Sequence, residues 1–319
     1  GTTLAIVLAR KGEPVALLAR TSEEAERLRL DGENVRFLPG VPFPAKLIIS
    51  ADLAVLAGAA TLTIAVPSAT IDRALEVLAG ELPPSALVVS ASKGLAHGVS
   101  GPHRLTELIG LRLPNAVCAL SGPNLAREVA RALPSTTVAA SADANAAEAV
   151  QRLFADRALR VYTSADVVGV ELCGALKNVV ALAAGASDGM NLGDNAKAAL
   201  LTRGLAEMSR LGRALGAEPL TFAGLAGLGD LVATCASPFS RNRRLGEQLA
   251  AGRGLEEAQR EVGQIAEGVP TTRAAVQLAR QHGVDMPIAE QMHAVLFEGK
   301  EPRQAVLDLM QREPKAELS

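Results

Sequence analysis

The chain has 319 residues, a formal net charge of −2 and a pI near 6.2, and aromatic residues make up 2% of it with no tryptophan. Because nucleic-acid surfaces combine a basic field with stacking rings, this composition argues against a nucleic-acid partner. The length is enough for one large or two medium domains with substantial cores. The cysteines lie in apolar settings, form no disulfide framework and suit a reducing, cytoplasmic environment.

The longest uncharged stretch, residues 53–71, is long enough by count to suggest a membrane helix. Gly58 and the Pro67-Ser68 pair interrupt it, so a short helix followed by the buried strand LTIAV is the better interpretation. No signal peptide precedes this stretch. We therefore expect a soluble protein without a membrane span.

Between residue 14 and about residue 163, apolar runs of strand length alternate with amphipathic segments such as TSEEAERLRL and SATIDRALEVLAG. The predicted strands are VALLA at 15, KLIIS at 46, LTIAV at 62, ALVVSAS at 86, NAVCALS at 115, TTVAAS at 136 and LRVYT at 159. This alternation predicts an α/β domain whose mainly parallel sheet is covered on both faces.

The strand pattern ends after Asp166. The rest of the chain is rich in Ala and Leu at helical spacing, with glycine breaks, for example NAKAALLTRGLAEMSRLGRALG and TTRAAVQLARQHG. A domain boundary is therefore predicted near residue 164, with an all-helical second domain after it.

The chain opens on a helical segment that leads directly into the strand before Arg20. In a dinucleotide-binding unit, the first strand and the glycine-rich turn come just before such a helix, and the last fingerprint glycine packs the helix on the strand. We expect Gly1 to be that glycine, with the first strand and the earlier glycines upstream of this numbering. A glycine without this role is the alternative.

Arg20 is the first polar residue after the VALLA strand, where an NAD-specific site tends to carry Asp or Glu for the ribose hydroxyls. Arginine there accommodates a 2′-phosphate instead, which favours NADP(H) over NAD(H). A surface arginine at a strand end is the alternative.

Polar loops come after three of the predicted strands, at Pro67-Ser68, at residues 92–94 (SKG) and at residues 121–124 (SGPN). The carboxyl ends of parallel strands line a ligand crevice, although glycine and proline are expected in such turns anyway. Lys93 is more informative, because its ammonium can reach an anionic ligand. The segment GPNLAREVA predicts a helix whose first N–H groups point at the same crevice.

Lys177 lies in the helical segment GVELCGALKNVVALAAG, and its neighbours at helical spacing are Cys173, Gly174, Ala181 and Ala184. None of these residues can pair a charge. Either the long stem carries the ammonium to water, or burial lowers the pKa of Lys177 for proton transfer.

Two further clusters lie in the helical half. Asp230 sits in the apolar, glycine-rich segment GLAGLGDLVATC, a poor place for a charge without a partner. Ser240, Arg241 and Asn242 form a donor set for a phosphate, with a solvated face as the alternative for the arginine run. No cluster of His, Cys and carboxylate residues has metal-ligand spacing, so no metal is expected.

From GTTLA to about EGK at residue 300, the chain closely resembles the bacterial NAD(P)-dependent glycerol-3-phosphate dehydrogenases. The motifs that carry this resemblance are SKG, SGPNLAREV, GVELCGALKNV, SDGMNLGDNAKAALLTRGLAEM, TFAGLAGLGDLVATC, SPFSRNRRLG and EGVPTT. It implies a Rossmann-like, doubly wound α/β domain over residues 1–164 and a C-terminal all-helical domain over residues 165–319, with the site between them. It also implies reversible hydride transfer between NADPH (preferred) or NADH and dihydroxyacetone phosphate, giving sn-glycerol 3-phosphate for phospholipid synthesis.

The resemblance also implies roles by position, with Lys177 as the catalytic base. The implied cofactor-binding residues are Gly1, Arg20, Lys93, Ala126, Arg241, Ile265 and Glu267. The implied substrate-binding residues are Lys93, Gly122, Asn124, Lys177, Asp230, Ser240, Arg241 and Asn242. Many relatives have Gly-Pro-Ser where this chain has Gly-Pro-Asn, and both side chains can hydrogen-bond a hydroxyl.

Two other interpretations stay open at this point. A reductase acting on a small hydroxy acid, such as a β-hydroxyacid or ketopantoate reductase, would need a carboxylate clamp, and SRNRR suits a carboxylate as readily as a phosphate. A regulator that senses the nucleotide without catalysis would have no need of a buried lysine at the crevice. The sequence leaves the oligomeric state open and is compatible with a homodimer.

Overall fold

A computed structural model describes residues 1–98, 101–314 and 316–317. Each predicted strand is present. The strands are β1 (Val15–Leu18), β2 (Glu33–Asn34), β3 (Leu38–Pro42), β4 (Leu47–Ser50), β5 (Thr61–Ile64), β6 (Leu87–Ser90), β7 (Leu95–Gly98), β8 (Gly101–Arg104), β9 (Val117–Ser121), β10 (Ser135–Ala140) and β11 (Leu159–Ser164). The helices among them are α1 (Thr2–Lys11), α2 (Ser22–Asp31), α3 (Ile71–Leu78), α4 (Leu105–Arg112), α5 (Ala126–Ala130) and α6 (Ala144–Phe154), with short 3₁₀ turns at Leu53–Leu56 and Ser68–Thr70.

The main sheet has the order β11-β10-β9-β6-β5. Strands β5, β6 and β9 pair in parallel, as do β10 and β11, whereas β9 and β10 are antiparallel. Strands β1 and β4 form a separate parallel pair. The prediction of a mainly parallel sheet is confirmed, and its parallel strands β5, β6 and β9 end at one edge.

Successive residues of β6 show that the main sheet is covered on both faces. Val89 packs in one apolar cluster with Phe154 of α6, and Val88 packs in another with Leu75 of α3 and Ile109 of α4. Because neighbouring strand residues point to opposite faces, a strand buried on both sides is apolar at every position. This explains why β6 has the continuous apolar pattern LVV.

The sequence analysis did not predict the short strands of two antiparallel pairs, β2–β3 and β7–β8. Strand β2 has two residues, and β3 has the sequence LPGVP. Proline and glycine are typical of turns and are depleted in strands, so no apolar alternation marks these segments.

After Asp166 the described chain is helical, as predicted. The helices are α7 (Val167–Gly189), α8 (Gly193–Ala214), α9 (Pro219–Ala223), α10 (Asp230–Ala236), α11 (Arg241–Ala250), α12 (Leu255–Val262), α13 (Gly268–Gln281), α14 (Pro287–Phe297) and α15 (Pro302–Met310), with a π-helical turn at Leu225–Gly229. Helix α7 is the central one and packs against α8, α10, α11 and α13.

Helix α7 is the one helix in the described ranges that is long and apolar enough to cross a membrane by length and composition. However, 78% of its most apolar 18-residue window is buried inside the fold. A helix that is apolar all round is typical of the centre of a large protein as well as of a membrane span. Residues 53–71, the stretch considered from the sequence, instead contain a 3₁₀ turn and β5, as predicted.

Glycines allow α7 and α11 to cross closely. A Cβ atom on Gly185 would lie 1.8 Å from the carbonyl oxygen of Arg243, and one on Gly246 would lie 2.0 Å from that of Leu182. The obstacle in both cases is backbone, which cannot rotate away as a side chain can.

We therefore expect Gly185→Ala to lower the free energy of unfolding by about 1–3 kcal/mol or more, because the added methyl group pushes α11 from α7. Urea unfolding followed by circular dichroism measures this loss. Gly110→Ala is the matched control: Gly110 is exposed in α4 and has open space where the methyl group would lie, so alanine there should stabilise slightly. Unchanged stability of Gly185→Ala would contradict the close crossing.

Candidate active site

The three polar loops predicted to share an edge do lie together beyond β5, β6 and β9. Ser92 Oγ donates a hydrogen bond to the carbonyl oxygen of Val66 at 2.5 Å. Lys93 Nζ donates to the carbonyl oxygen of Gly122 at 2.9 Å. The common direction of these parallel strands thus places the loops side by side at the mouth of one crevice.

Lys93 is held by three acceptors. Besides Gly122, its ammonium donates to Asn124 Oδ1 at 2.9 Å and to Asp230 Oδ2 at 2.8 Å. An ammonium group has three N–H donors, so all of them are engaged in this arrangement. Lys93 therefore links the α/β half of the chain to α10.

The loop that carries Gly122 and Asn124 is fixed against β10. Gly122 has φ +149°, and a Cβ atom there would lie 2.9 Å from the Cα of Thr137. Asn124 Nδ2 donates to Thr137 Oγ1 at 3.1 Å, which leaves Asn124 Oδ1 facing Lys93. Both the backbone conformation and the close approach require glycine at position 122.

Lys177 is buried, with 5% of its surface exposed, on the face of α7 that meets α10. Its ammonium donates to Asp230 Oδ1 and, at 2.8 Å, to Thr234 Oγ1. Loss of hydration on burial lowers the pKa of Lys177 to about 7, which outweighs the attraction to Asp230. Of the two interpretations of this lysine, the structure favours burial with a lowered pKa.

Asp230 is the first residue of α10 and is 1% exposed. Its Oδ1 accepts a hydrogen bond from the ammonium of Lys177, and its Oδ2 accepts one from the ammonium of Lys93. Burial alone would raise the pKa of Asp230, but attraction to these two lysines holds it below its usual range. The charge that looked out of place in the sequence is thus paired twice.

The Ser-Arg-Asn segment forms the beginning of α11. Ser240 caps the helix by accepting a hydrogen bond from the backbone N–H of Arg243 at 3.3 Å, and the first turn contains no acidic residue. Arg241 is exposed, and its guanidinium is attracted by the Glu267 carboxylate without a direct salt bridge within the described residues. A positive helix end next to a guanidinium is suited to an anion.

Asn242 differs from its two neighbours because its amide group is already used. Its Nδ2 donates to Asn178 Oδ1 at 2.9 Å, and its Oδ1 accepts from the backbone N–H of Gly268 at 2.9 Å. The residue is 7% exposed. In this structure Asn242 therefore fixes α11 to α7 and α13.

Glu267 joins the helical half to the crevice from the other side. Its carboxylate accepts from the backbone N–H of Ser68 at 3.1 Å and from the Ser68 hydroxyl. Ser68 lies in the loop after β5, and Glu267 is the residue before α13. Ile265 lies nearby in sequence and is 51% exposed.

The remaining sequence-predicted residues lie on the α/β half. Ala126 begins α5, and its carbonyl oxygen accepts from Thr3 Oγ1 of α1 at 3.2 Å. Gly1 precedes α1, and a Cβ atom on it would lie 3.8 Å from the Cβ of Ala65. Arg20 lies beyond the end of β1, with its side chain 76% exposed.

Sequence reasoning missed Thr234, the second partner of Lys177. A signal for it existed: Thr234 comes four residues after Asp230, so the two side chains share one face of α10. No sequence signal connected either of them to Lys177, because the Lys177–Asp230 contact spans 53 residues.

Comparison with known proteins gives a consistent result. The N-terminal model of the NAD-dependent glycerol-3-phosphate dehydrogenases matches residues 1–147, and the C-terminal model matches residues 166–307. A glycerol-3-phosphate dehydrogenase [NAD(P)+] of Geobacter metallireducens is 52% identical, over 99% of this chain and 96% of that protein. One of Prosthecochloris aestuarii is 48% identical, over 100% and 97%.

The fold comparison agrees with the sequence comparison. A crystal structure of glycerol-3-phosphate dehydrogenase from Coxiella burnetii superimposes with a TM-score of 0.93 at 40% identity, covering 98% of this chain and 95% of that one. Both halves of the chain and nearly its whole length are included in these matches. The chain therefore belongs to the NAD-dependent glycerol-3-phosphate dehydrogenase family.

Proposed function

We propose that this protein catalyses reversible hydride transfer between NAD(P)H and dihydroxyacetone phosphate, giving sn-glycerol 3-phosphate for phospholipid synthesis in the cytoplasm. The observation that carries this proposal is the buried Lys177, whose pKa is lowered to about 7 where Asp230 joins it to Lys93 at the crevice. Relatives that carry this activity in their names match the chain over nearly its whole length.

The residues along the crevice fit a nicotinamide dinucleotide. Helix α1 begins without a side-chain cap and without an acidic residue in its first turn, so its free N–H groups suit a diphosphate. Gly1 and Ala126 would border that diphosphate, Arg20 would take the 2′-phosphate of NADPH, and Ile265 and Glu267 would lie on the helical side. Once bound, the cofactor supplies the hydride.

The substrate phosphate would lie at the start of α11. Arg241 and the N–H groups of the first turn provide charge-assisted donors there, next to the Ser240 hydroxyl. Asn242 would act by fixing this turn through Asn178 and Gly268. Gly122 and Asn124 would border the substrate on the opposite side.

Lys177 would exchange the proton of the C2 hydroxyl. In the reducing direction its ammonium polarises the ketone and then donates a proton to the oxygen, and in the oxidising direction the neutral amine accepts that proton. Asp230 and Thr234 occupy two of its three N–H donors, which leaves the third for the substrate oxygen. Lys93 would support this geometry by holding Asp230 and Asn124.

We also propose that the chain divides into a cofactor domain, residues 1–164, and a substrate domain, residues 165–319, and that it forms a homodimer. Support for the division comes from the end of β11 at Ser164 and the start of α7 at Val167. Size-exclusion chromatography with light scattering tests the dimer.

The rival reaction is reduction of a small hydroxy acid precursor. Mixing the protein with NADPH and dihydroxyacetone phosphate should cause absorbance at 340 nm to fall, whereas acetoacetate, a β-keto acid, or ketopantoate should leave it unchanged. A fall with a keto acid alone would overturn the proposed substrate. No reaction with any of them, despite measurable NADPH binding, would favour a nucleotide sensor.

The phosphate site makes a separate prediction. Arg241→Ala should lower kcat/KM for dihydroxyacetone phosphate about 10- to 150-fold, since a hydrogen bond to a charged group contributes about 1.5–3 kcal/mol. With unphosphorylated dihydroxyacetone, which we expect to be a poor substrate because it lacks the phosphate, the loss should be much smaller. Arg244→Ala, an exposed position on the same helix, is the matched control and should change neither value. Equal losses with both substrates would exclude phosphate recognition by Arg241.

A further inference from the structure

Arg20 does not stand alone at the end of β1. Its Nε donates to Glu24 Oε2 at 3.0 Å and its Nη2 to Glu24 Oε1 at 2.8 Å. This is a two-bond pairing of one edge of the guanidinium with a carboxylate, the geometry that arginine also uses for phosphate. The side chain of Arg20 is 76% exposed and that of Glu24 is 30% exposed.

The backbone fixes Glu24 in this place. Thr21 caps α2 by accepting a hydrogen bond from the backbone N–H of Glu24 at 3.2 Å, and Glu24 Oε2 accepts from the backbone N–H of Arg20 at 3.1 Å. These bonds resemble a capping box, which either Glu or Gln completes, except that Glu24 accepts from the residue before the cap rather than from Thr21 itself. The carboxylate is therefore held beside Arg20 by the start of the helix as well as by its charge.

Neighbouring positive charges stabilise the negative charge of Glu24. Hydrogen bonds from Arg20 are the largest favourable influence, and they hold the pKa of Glu24 below its usual range with help from the nearby Arg36. Glu24 is thus an anion at neutral pH. A doubly charged phosphate that approaches Arg20 meets this anion next to its own binding partner.

We propose that Glu24 is a specificity-determining residue that weakens binding of NADPH relative to NADH. The proposal rests on the proposed role of Arg20 as the receptor of the 2′-phosphate. Glu24 occupies the Nε and Nη2 donors of the Arg20 guanidinium. The 2′-phosphate must therefore either displace the Glu24 carboxylate or bind the remaining N–H groups next to that negative charge. NADH has a hydroxyl in place of the 2′-phosphate, so its binding requires neither displacement of the Glu24 carboxylate nor the approach of two negative charges.

Glu24→Gln tests this directly, because glutamine keeps the side-chain length and can still accept from the Arg20 backbone while its charge is gone. Isothermal titration calorimetry of NADPH and NADH against the free protein gives the dissociation constants without turnover. We expect Kd for NADPH to fall about three- to tenfold, as suits an exposed pair, and Kd for NADH to change less than twofold. The gain should shrink in high salt.

Glu23→Gln is the matched control. Glu23 lies in the same first turn and is exposed, and its carboxylate interacts with Thr21 and its own backbone rather than with Arg20. Its replacement removes the same charge and should change both dissociation constants less than twofold. If Glu24→Gln has no larger effect than Glu23→Gln, weakens NADPH binding, or tightens both cofactors equally, Glu24 does not set specificity.

Arg20→Ala, measured in parallel, separates this proposal from its premise. Weaker binding of NADPH with little change for NADH supports Arg20 as the receptor, so a null result for Glu24→Gln then counts against Glu24 alone. Equal changes for both cofactors in Arg20→Ala would remove the premise, and the proposal for Glu24 with it.

Discussion

Lys177→Ala should lower kcat for dihydroxyacetone phosphate roughly 10²–10⁴-fold, the contribution of a positioned acid or base. The substitution removes the group whose pKa of about 7 allows it to give and take a proton near neutral pH. It leaves Asp230 paired with Lys93, so the crevice retains one of its two ion pairs. Steady-state kinetics at saturating NADPH measures the loss.

Two comparisons show whether this loss is chemical. Calorimetric Kd values for NADPH should be nearly unchanged in Lys177→Ala, since the lysine is proposed to act on the substrate oxygen. Unphosphorylated dihydroxyacetone should lose as much activity as dihydroxyacetone phosphate, because both need the same proton, in contrast to the selective loss expected for Arg241→Ala. A near-normal kcat would contradict the proton-transfer role and leave the family assignment untouched.

The sequence predicted the environment of Lys177 better than its partners. Small apolar neighbours on α7 made burial with a lowered pKa one of two interpretations, and the structure favours that one. The partners could not be predicted, because Asp230 reaches Lys177 only after α7 and α10 pack together. Helical spacing describes contacts within one helix, whereas a charge in an apolar helix is usually paired through tertiary structure.

The other site residues show the same difference between local environment, which the sequence indicates, and tertiary partners, which it does not. The sequence predicted a cluster of donors at Ser240 and Arg241, and the structure places these two residues at the start of α11. The amide of Asn242, however, is bonded to Asn178 and Gly268, and sequence alone does not show whether a polar group is already used. Glu267 likewise faces Ser68 across 199 residues of chain.

The fold itself was largely predictable because the central strands β6 and β9 are buried on both faces and therefore appear as continuous apolar runs. The sequence analysis did not predict strands β2 and β3, because they are short and contain turn residues. The sequence analysis also did not predict that β9 and β10 pair in antiparallel orientation. Strand direction depends on the path of the connection, which here contains only the five-residue helix α5.

Asp230→Asn should change both stability and the pH profile. It removes the carboxylate that pairs with both Lys177 and Lys93, and loss of one partner from a buried ion pair typically lowers the free energy of unfolding by about 3–5 kcal/mol. Asp188→Asn is the matched control: Asp188 also pairs two cations, Lys197 and Arg243, each at 2.7 Å, but is 21% exposed. Urea unfolding should show the smaller loss for Asp188→Asn.

The pH profile separates a catalytic effect from simple loss of structure. In the parent protein, kcat/KM for oxidation of glycerol 3-phosphate should rise with pH through about 7, because the neutral amine of Lys177 is the base, and kcat/KM for reduction should fall through the same region. The negative charge of Asp230 raises the pKa of Lys177. Its removal should therefore move both midpoints to lower pH. Asp188→Asn should leave them in place. If Asp230→Asn remained folded and active with the parent midpoint, the group that titrates would be something other than Lys177, and the proton-transfer role proposed for it would fail.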